Sequence, residues 1–422
     1  MFIFYLFLDQ KMKKKLLSLT LILGVSVTSF GQLSKKVLFI GNSYTAVNNL
    51  PLMVSNMAIN TGDVLIYDSN TPGGQRLINH AANTTTLNKI NADEWDFVAL
   101  QAQSQEPSWG QAQMEVELYP YAEQLSNAIR ANNACSQPLF YMTWGRENGD
   151  ANNCEFAPWV CTYEGMDDAL RASYIYMAEQ NNAEVAPAGA VWRYLRTNSP
   201  EINLYSGDGS HPSLAGTYAA ACAFYTIIYK KDPALITWNS DLSDDVANTI
   251  RLAAKTIVFD AIDDWDYVAN FNYTVNDNEV TFTYPHTSDD ITWDFGDENN
   301  SINDNPVHTY NENGDFEVVL TINKCGRVHE FTKMININFL SLQNESINAV
   351  MLYPNPTTGN IYIKGLENKT FNVSIYTVLG QEIKHFDNVL NNTISVSDLS
   401  KGAYFLKIDY NNSFKTIKIV RQ

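Results

Sequence analysis

The sequence predicts a three-layer α/β/α domain with a parallel sheet, followed by two small all-β sandwich domains. Residues 35–262 alternate short apolar, β-forming runs with longer stretches of helical spacing, a pattern typical of a parallel sheet covered by helices. After Trp265 the helical periodicity stops, and short alternating strands separated by Asn, Asp and Gly take its place. We therefore place the α/β domain at 35–262, the first sandwich at 268–340 and the second at 348–422.

Each predicted strand of the α/β domain is an apolar run that contains β-branched or aromatic residues. These runs are Lys36–Ile40, Val64–Asp68, Phe97–Gln101, Pro138–Thr143 and Glu184–Pro187. Helical spacing predicts helices at Leu50–Asn60, Arg76–Asn88, Gln113–Asn132, Gly165–Asn181 and Ala215–Tyr229. The mostly polar stretch Ser341–Asn348 is expected to be a linker before the last module.

The amino-terminal residues have the layout of an export signal. Residues 11–15 contain four lysines around Met12, an apolar stretch runs from Leu16 to Val27, and small or polar residues follow. We therefore expect residues 1–31 to be a cleaved signal peptide, with Met12 the more natural start, and the mature protein to lack a membrane span. The formal net charge of −18 argues against nucleic acid or an anionic membrane surface as a partner.

Five cysteines occur in the chain. In an exported protein a disulfide between Cys154 and Cys161 is favoured over two free buried thiols. Cys135 and Cys222 can also pair, but the sequence does not decide this. The spacing is wrong for zinc and no histidine lies near the Cys154–Cys161 segment, so a zinc site there is disfavoured. We expect no metal and no cofactor.

The first candidate for chemistry is Ser43. The apolar run Val37–Ile40 ends at Gly41-Asn42-Ser43, and a segment with helical spacing follows. This places the serine at the carboxyl end of a strand, the end at which open α/β sheets bind ligands. A helix N-terminus there offers free N–H groups to a developing oxyanion. The alternative is an ordinary helix-capping serine.

A nucleophilic serine needs a base, and the α/β region contains two histidines, His80 and His211. His80 has no acid beside it and is interpreted as a surface or packing residue. His211 lies three residues after Asp208 in a glycine-rich loop, so the carboxylate can orient the imidazole as in a Ser-His-Asp arrangement. The alternative is a turn whose aspartate caps local N–H groups.

Gly41-Asn42-Ser43, together with Asp208-x-x-His211, resembles the SGNH/GDSL hydrolase superfamily. These enzymes are esterases, lipases and carbohydrate deacetylases on a flavodoxin-like three-layer fold. The resemblance implies that Ser43 is the nucleophile, His211 the general base and Asp208 the orienting acid. Asn42 departs from the family pattern, which usually has aspartate at this position.

The same resemblance implies an oxyanion hole. Its donors would be the N–H of Ser43, the N–H of Gly73 or Gly74 after the second strand, and a side-chain amide after the third. The family has asparagine in that last place. Here Gln105 corresponds by position and Gln103 is the second choice, while the alternative is a loop of glutamines without a role.

Several aromatic and polar residues near the carboxyl ends of the strands are candidates for the substrate pocket. They are Tyr44, Trp109, Trp144, Arg146, Trp159 and Tyr163. The alternative is that the aromatic residues belong to the ordinary core. The loop 147–163 is expected to shape specificity.

The two β modules carry motifs of their own. Trp293–Asp297, Pro306–Tyr310 and Gly314–Val318 resemble a PKD-type domain, whose members are usually spacers or weak glycan or protein contacts. Tyr353–Pro356, with Gly402 and Tyr404, resembles the C-terminal sorting domain of the type IX secretion system of Bacteroidetes. That resemblance implies export by the type IX machinery, followed by release or attachment at the cell surface.

These observations predict a secreted serine esterase that hydrolyses carboxylic esters through a Ser-His-Asp acyl-enzyme mechanism. The favoured activities are a carbohydrate deacetylase or a short-chain esterase, with an ester such as an acetylated polysaccharide as substrate. The alternative is a catalytically inactive surface protein that binds glycan.

Overall fold

A computed structural model describes residues 32–339, 347, 349–411 and 413–422. The expected signal peptide lies outside the described residues, as does all of the expected linker except Ile347. The chain divides into two compact units. The first contains the described residues up to Asn272 together with Thr283–Pro306 and Glu317–Lys333.

A five-stranded parallel sheet forms the centre of the first unit. Its strands are β1 (Ser34–Ile40), β2 (Val64–Asn70), β3 (Phe97–Leu100), β4 (Gln137–Tyr141) and β5 (Glu184–Ala186). They lie in the order β2-β1-β3-β4-β5, and every neighbouring pair is parallel. This order is the flavodoxin-like one, with its topological switch point between β1 and β3. The predicted fold class is confirmed.

The helices of this unit are Ser43–Ala46, Leu50–Asn60, Leu77–Ala81, Thr84–Ile90, Gln111–Glu117, Tyr119–Asn132, Tyr163–Gln180, Ala188–Asn198, Leu214–Tyr229 and Asp244–Ala254. The helix Leu214–Tyr229 packs against three others, which are Leu50–Asn60, Ala188–Asn198 and Asp244–Ala254. Another group forms around Tyr119–Asn132, from Leu77–Ala81, Thr84–Ile90 and Tyr163–Gln180. Among the residues that the structure describes, no helix has both the length and the apolarity that crossing a membrane requires.

Two predicted helices are each divided in the structure. The stretch predicted as Gln113–Asn132 breaks at Leu118, because Pro120 lies in the first turn of a new helix, where proline is tolerated. The stretch predicted as Arg76–Asn88 breaks before Asn83, whose side chain accepts a hydrogen bond from the backbone N–H of Thr86 and so caps a second helix.

The helix Leu214–Tyr229 anchors the segment that contains His211. Every residue from Ala215 to Tyr229 is buried, so the helix is fixed on all sides. Gly216 permits this packing, since a Cβ there would lie 2.2 Å from the carbonyl oxygen of Leu204. Because the helix begins directly after the loop, its rigid packing determines where the loop ends.

The later strands pair in an antiparallel manner, as predicted for two all-β modules. Strands β6 to β12 are Asn272–Asn276, Glu279–Thr283, Asp290–Asp294, Asn300–Ser301, Val307–Thr309, Gly314–Lys324 and Arg327–Ile337, in the sheets β10-β7-β6 and β12-β11-β8-β9. Strands β13 to β19 are Met351–Tyr353, Asn360–Lys364, Phe371–Thr377, Glu382–Val389, Thr393–Ser395, Gly402–Tyr410 and Ser413–Arg421, in the sheets β13-β14-β17 and β16-β15-β18-β19. Glu279–Thr283 and Asn360–Lys364 alternate exposed and buried residues, the period of a strand with one face in a core.

A disulfide joins Cys135 of the α/β region to Cys325, in the turn between β11 and β12. The pairing of Cys135 with Cys222 that the sequence left open does not occur. Cys222 is a free thiol inside a buried helix, and burial raises its pKa well above the usual range. Arg327 adds hydrogen bonds to the carbonyl oxygens of Asp96 and Cys135, at 3.3 and 3.1 Å, so this turn is attached covalently and by polar contacts.

We expect the Cys135→Ser/Cys325→Ser variant to lose about 2–4 kcal/mol of unfolding free energy, because a crosslink between distant residues restricts the unfolded chain. All eight tryptophans lie at or before Trp293, so tryptophan fluorescence during denaturation reports the unfolding of this part of the chain. The Cys154→Ser/Cys161→Ser variant is the matched control, since its disulfide spans only 7 residues and should contribute less. Equal unfolding midpoints for the wild type and the first variant would contradict the prediction.

Candidate active site

Ser43 is the first residue of a short helix that begins directly after β1. The N-cap of that helix is Asn42, whose side-chain oxygen accepts a hydrogen bond from the N–H of Tyr44 at 3.0 Å. Ser43 is therefore not the capping residue. Its hydroxyl instead hydrogen-bonds to Nε2 of His211 at 2.9 Å. This argues against the reading of Ser43 as an ordinary helix cap.

The loop 206–211 brings an aspartate and a histidine together. Oδ2 of Asp208 lies 2.5 Å from Nδ1 of His211. Oδ1 of Asp208 accepts hydrogen bonds from the N–H groups of Ser210 and His211 and from the hydroxyl of Ser206, at 3.0, 2.9 and 2.8 Å. One oxygen of Asp208 thus caps the turn and the other orients the imidazole of His211. Both roles considered from the sequence, turn capping and histidine orientation, are present together.

The environment of Asp208 keeps its carboxyl ionised. Partial burial alone would raise its pKa, but hydrogen bonds from His211, Ser206 and two backbone N–H groups outweigh this and hold the pKa well below the usual range. An ionised carboxylate accepts the proton on Nδ1 of His211, which leaves Nε2 free to accept the proton of Ser43. His211 is therefore placed to act as a general base on the hydroxyl of Ser43.

Two of the predicted pocket residues lie behind the histidine loop. Tyr44 and Trp144 are buried and stack with their ring centroids 5.1 Å apart, and Trp144 stacks in turn on Trp192 at 3.6 Å. The hydroxyl of Tyr44 hydrogen-bonds to Oγ of Ser210 at 2.6 Å, and the indole N–H of Trp144 donates to the carbonyl oxygen of Ser210 at 3.1 Å. The ring of Tyr44 also meets that of His211 edge-on. These aromatic residues hold the loop in place from behind.

Arg146, another predicted pocket residue, belongs to a polar cluster around the buried Asp150. Asp150 accepts hydrogen bonds from Arg146 at 3.1 Å, from Asn153 at 2.7 Å and from the amide of Gln105 at 2.5 Å. Buried charges require such partners, and the cluster joins the segment after β3 to the segment after β4. The side chain of Arg146 is 24% exposed, so part of it is open to solvent.

The two candidate glutamines differ in how many of their N–H groups are already used. Nε2 of Gln103 donates to Oγ of Ser104 and to Oε1 of Gln105, at 3.2 and 3.3 Å, so both of its protons have partners. Nε2 of Gln105 donates to Asp150, and the described residues offer its second proton no partner. Gln105 is therefore the better candidate for an oxyanion donor.

Gly73 and Gly74 lie in the exposed turn after β2. Gly74 has a φ of +69°, a backbone conformation that favours glycine, and a Cβ added at either position would meet no atom within 4 Å. The turn is therefore open, and a substrate can approach its backbone.

The loop expected to shape specificity contains a disulfide between Cys154 and Cys161. Two of its aromatic side chains are exposed, Phe156 to 81% and Trp159 to 43%. The indole N–H of Trp159 donates to the carbonyl oxygen of Ser108 at 2.8 Å, which orients the exposed ring. Of the other predicted lining residues, Tyr163 is buried and Trp109 is partly buried.

His80, interpreted from the sequence as a surface or packing residue, is fully buried. Its Nε2 lies 2.8 Å from the carbonyl oxygen of Gly41, which can only accept, so Nε2 carries the proton. Nδ1 then accepts from the hydroxyl of Thr86 at 2.9 Å, and Thr86 accepts from the amide of Asn70. Burial lowers the pKa of His80, so the ring stays neutral and supports the strand end before Ser43.

A second cluster of acidic residues and a histidine lies at the other edge of the sheet, where β5 begins. Potential metal-ligating atoms of Glu184, Asp266 and His329 lie within 4.8 Å of one another, and all three residues are buried. The ammonium group of Lys230 lies 3.3 Å from Glu184, and Asp266 pairs with His329 at 2.7 Å. Lys230 thus already pairs with Glu184, and the cluster takes no part in the candidate active site.

Sequence reasoning missed Gln101, which is buried beside Asn42. Its side-chain oxygen accepts a hydrogen bond from the N–H of Asn42 at 3.0 Å. The available signal was a polar residue that ends an otherwise apolar strand next to the strand of Ser43.

Comparisons with known families identify the two carboxyl-terminal modules. Residues 351–422 match the secretion system C-terminal sorting domain. Residues 255–338 match the PKD domain. Both resemblances seen in the sequence are confirmed, and the sorting domain indicates export to the cell surface or secretion. No curated protein matches the chain.

Several solved structures are similar to about half of the chain. A candidate SGNH hydrolase from Slackia heliotrinireducens is 26% identical over 46% of this chain and 97% of its own, with a TM-score of 0.38. A DUF4886 family protein from Bacteroides uniformis is 18% identical over 54% of this chain and 95% of its own, with a TM-score of 0.45. A candidate GDSL-like lipase from Parabacteroides merdae is 14% identical over 47% of this chain and 98% of its own, with a TM-score of 0.34.

The lowered pKa of His80 makes stability depend on pH. A histidine in the unfolded chain binds a proton below about pH 6.5, whereas buried His80 resists protonation, so folding stability is lost as the pH falls through and below that value. We expect His80→Gln to lose less stability than wild type between about pH 7 and 5, as followed by tryptophan fluorescence in urea. Identical pH slopes for wild type and His80→Gln would contradict the prediction.

Proposed function

We propose that the protein is a secreted serine esterase that hydrolyses carboxylic esters through an acyl-enzyme. The observation that carries the proposal is the unbroken hydrogen-bond chain from Ser43 through His211 to Asp208. Ser43 and His211 are 168 residues apart in sequence, and they meet where ligands of open α/β sheets bind. Serine, imidazole and carboxylate in this order are the groups that acyl transfer requires.

In the proposed reaction His211 takes the proton of Ser43 through Nε2 while Oγ attacks the ester carbonyl carbon. The ionised Asp208 holds the ring and stabilises the imidazolium that forms. The N–H of Ser43, an N–H of the Gly73-Gly74 turn and the free N–H of Gln105 are the proposed donors to the oxyanion. His211 then protonates the leaving alcohol, and water attacks the acyl-enzyme in the same way.

The exposure of the site supports a short acyl group on a large or polar alcohol. The side chains of His211 and Asp208 are 35% and 49% exposed, so the reacting atoms lie near the protein surface. A long acyl chain would need an apolar channel to bury it, whereas an acetyl group needs little burial. Exposed Trp159 and Phe156 offer apolar faces of the kind that pack on sugar rings. We therefore favour a carbohydrate deacetylase or a short-chain esterase.

The alternative is a surface protein that binds glycan without turning it over. Exposed Trp159 and Phe156 suit that reading as well. Glycan binding alone needs no serine hydroxyl bonded to an imidazole, and it predicts binding that survives loss of Ser43 with no ester hydrolysis.

We expect wild type to react with a fluorophosphonate probe and to hydrolyse 4-nitrophenyl acetate, and Ser43→Ala to do neither. Asp208→Asn should lower kcat by about 10²–10⁴-fold, since an amide cannot stabilise the imidazolium and favours the wrong tautomer of His211. Ser136→Ala is the matched control, because its hydroxyl is buried against the carbonyl oxygen of Trp95, and it should label like wild type. Absence of labelling and of hydrolysis in wild type would overturn the esterase proposal.

A further inference from the structure

A buried pair of amides adjoins Ser43, since Asn42 precedes Ser43 in the chain and Gln101 bonds to Asn42. Asn42 and Gln101 are 2% and 1% exposed. Nε2 of Gln101 donates to Oδ1 of Asn42 at 2.8 Å, while Oε1 of Gln101 accepts from the backbone N–H of Asn42 at 3.0 Å and from the hydroxyl of Thr45 at 2.8 Å. The second proton of the Gln101 amide goes to the carbonyl oxygen of Ala102 at 2.7 Å. All polar atoms of this side chain are therefore satisfied inside the protein.

Asn42 connects three segments that surround the candidate nucleophile. Its Oδ1 caps the helix of Ser43 by accepting from the N–H of Tyr44, and it also accepts from Gln101 at the end of β3. Its Nδ2 donates to the carbonyl oxygen of Gln75 at 3.0 Å. Gln75 directly follows Gly74, so this bond ties the open turn after β2 to the residue before Ser43.

The amide can make this set of bonds at position 42, and an ionised aspartate cannot. An ionised aspartate has acceptors and no donor, so it would face the carbonyl oxygen of Gln75 with a negative charge. Among the residues that the structure describes, the two basic side chains nearest in sequence to this turn cannot compensate that charge. Arg76, the next residue along the chain, already pairs with Glu106 and Glu117, at 2.6 and 2.8 Å, and buried His80 is neutral.

We infer that Asn42 and Gln101 are positioning residues for the proposed acyl transfer, which fix the Gly73-Gly74 turn relative to Ser43. The inference rests on the proposed function. It accounts for asparagine at a position where the resembling family usually has aspartate. The buried amides hold the backbone N–H groups of Ser43 and of the turn in one arrangement, so that both can point at the same oxyanion.

We expect Asn42→Asp to lower kcat for 4-nitrophenyl acetate by about 10²-fold at pH 7.5, with KM changed much less, because misplaced oxyanion donors act on the transition state. As the pH falls, the carboxyl at position 42 takes up a proton and can donate to the oxygen of Gln75 again. The ratio of the variant's kcat to that of wild type should therefore rise towards acidic pH. A purely structural defect would not produce this rise.

The matched control is Asn182→Asp. Asn182 is 4% exposed and donates to the carbonyl oxygens of Val268 and Asn270, so the substitution also buries an acid beside carbonyl groups. It should lower stability and leave kcat per active enzyme unchanged, with a pH profile parallel to that of wild type. Active enzyme is counted by fluorophosphonate titration.

Gln101→Glu is the second variant, because a carboxylate there loses both donated hydrogen bonds and should also lower kcat. If Asn42→Asp does not fold, the same kinetic measurements are made on Gln101→Glu. If a folded variant has the wild-type kcat and a parallel pH profile, the positioning role is wrong while the esterase proposal stands. If wild type hydrolyses no ester and Ser43 does not react with fluorophosphonate, both proposals fail.

Discussion

The hydrogen bond between Ser43 and His211 depends on two elements that are each held in place by buried packing. Ser43 follows β1, which lies between β2 and β3 in the sheet and is fully buried along its second half. His211 is held by the buried helix Leu214–Tyr229 on one side and by the Tyr44–Trp144 stack behind it. A parallel sheet directs the ends of its strands to one edge, and this edge is where the two segments meet. Loss of packing in either element would separate atoms that must stay within hydrogen-bond distance.

The site combines exposed reacting groups with a buried support. Asp208 and His211 are open to solvent, which suits an ester carried on a large molecule. Beneath them, the bonds of His80 to Gly41 and of Gln101 to Asn42 are closed to water. Hydrogen bonds in such an environment are stronger and hold a unique geometry when every partner is satisfied. The proposed chemistry therefore takes place on a surface whose backbone is held in place by these buried hydrogen bonds.

Much of this arrangement could be predicted from the sequence because local patterns determine it. The apolar run before Gly41 predicts a buried strand, and the spacing of Asp208 and His211 is a local property of one loop. Gln101 was missed because its role depends on Asn42, which is 59 residues away and gives no local signal. The Cys135–Cys325 disulfide was missed for the same reason, since it joins residues 190 apart whose proximity depends on tertiary packing.

Mass spectrometry after rapid quenching can detect whether Ser43 forms a covalent acyl-enzyme during ester hydrolysis. Wild type is mixed with 4-nitrophenyl acetate, quenched in acid on the millisecond timescale, digested and mapped. We expect an acetyl group on the peptide containing Ser43, present during turnover and lost when the substrate is exhausted. Steady ester hydrolysis with no acetyl group on that peptide, or with the acetyl group on another residue, would contradict it.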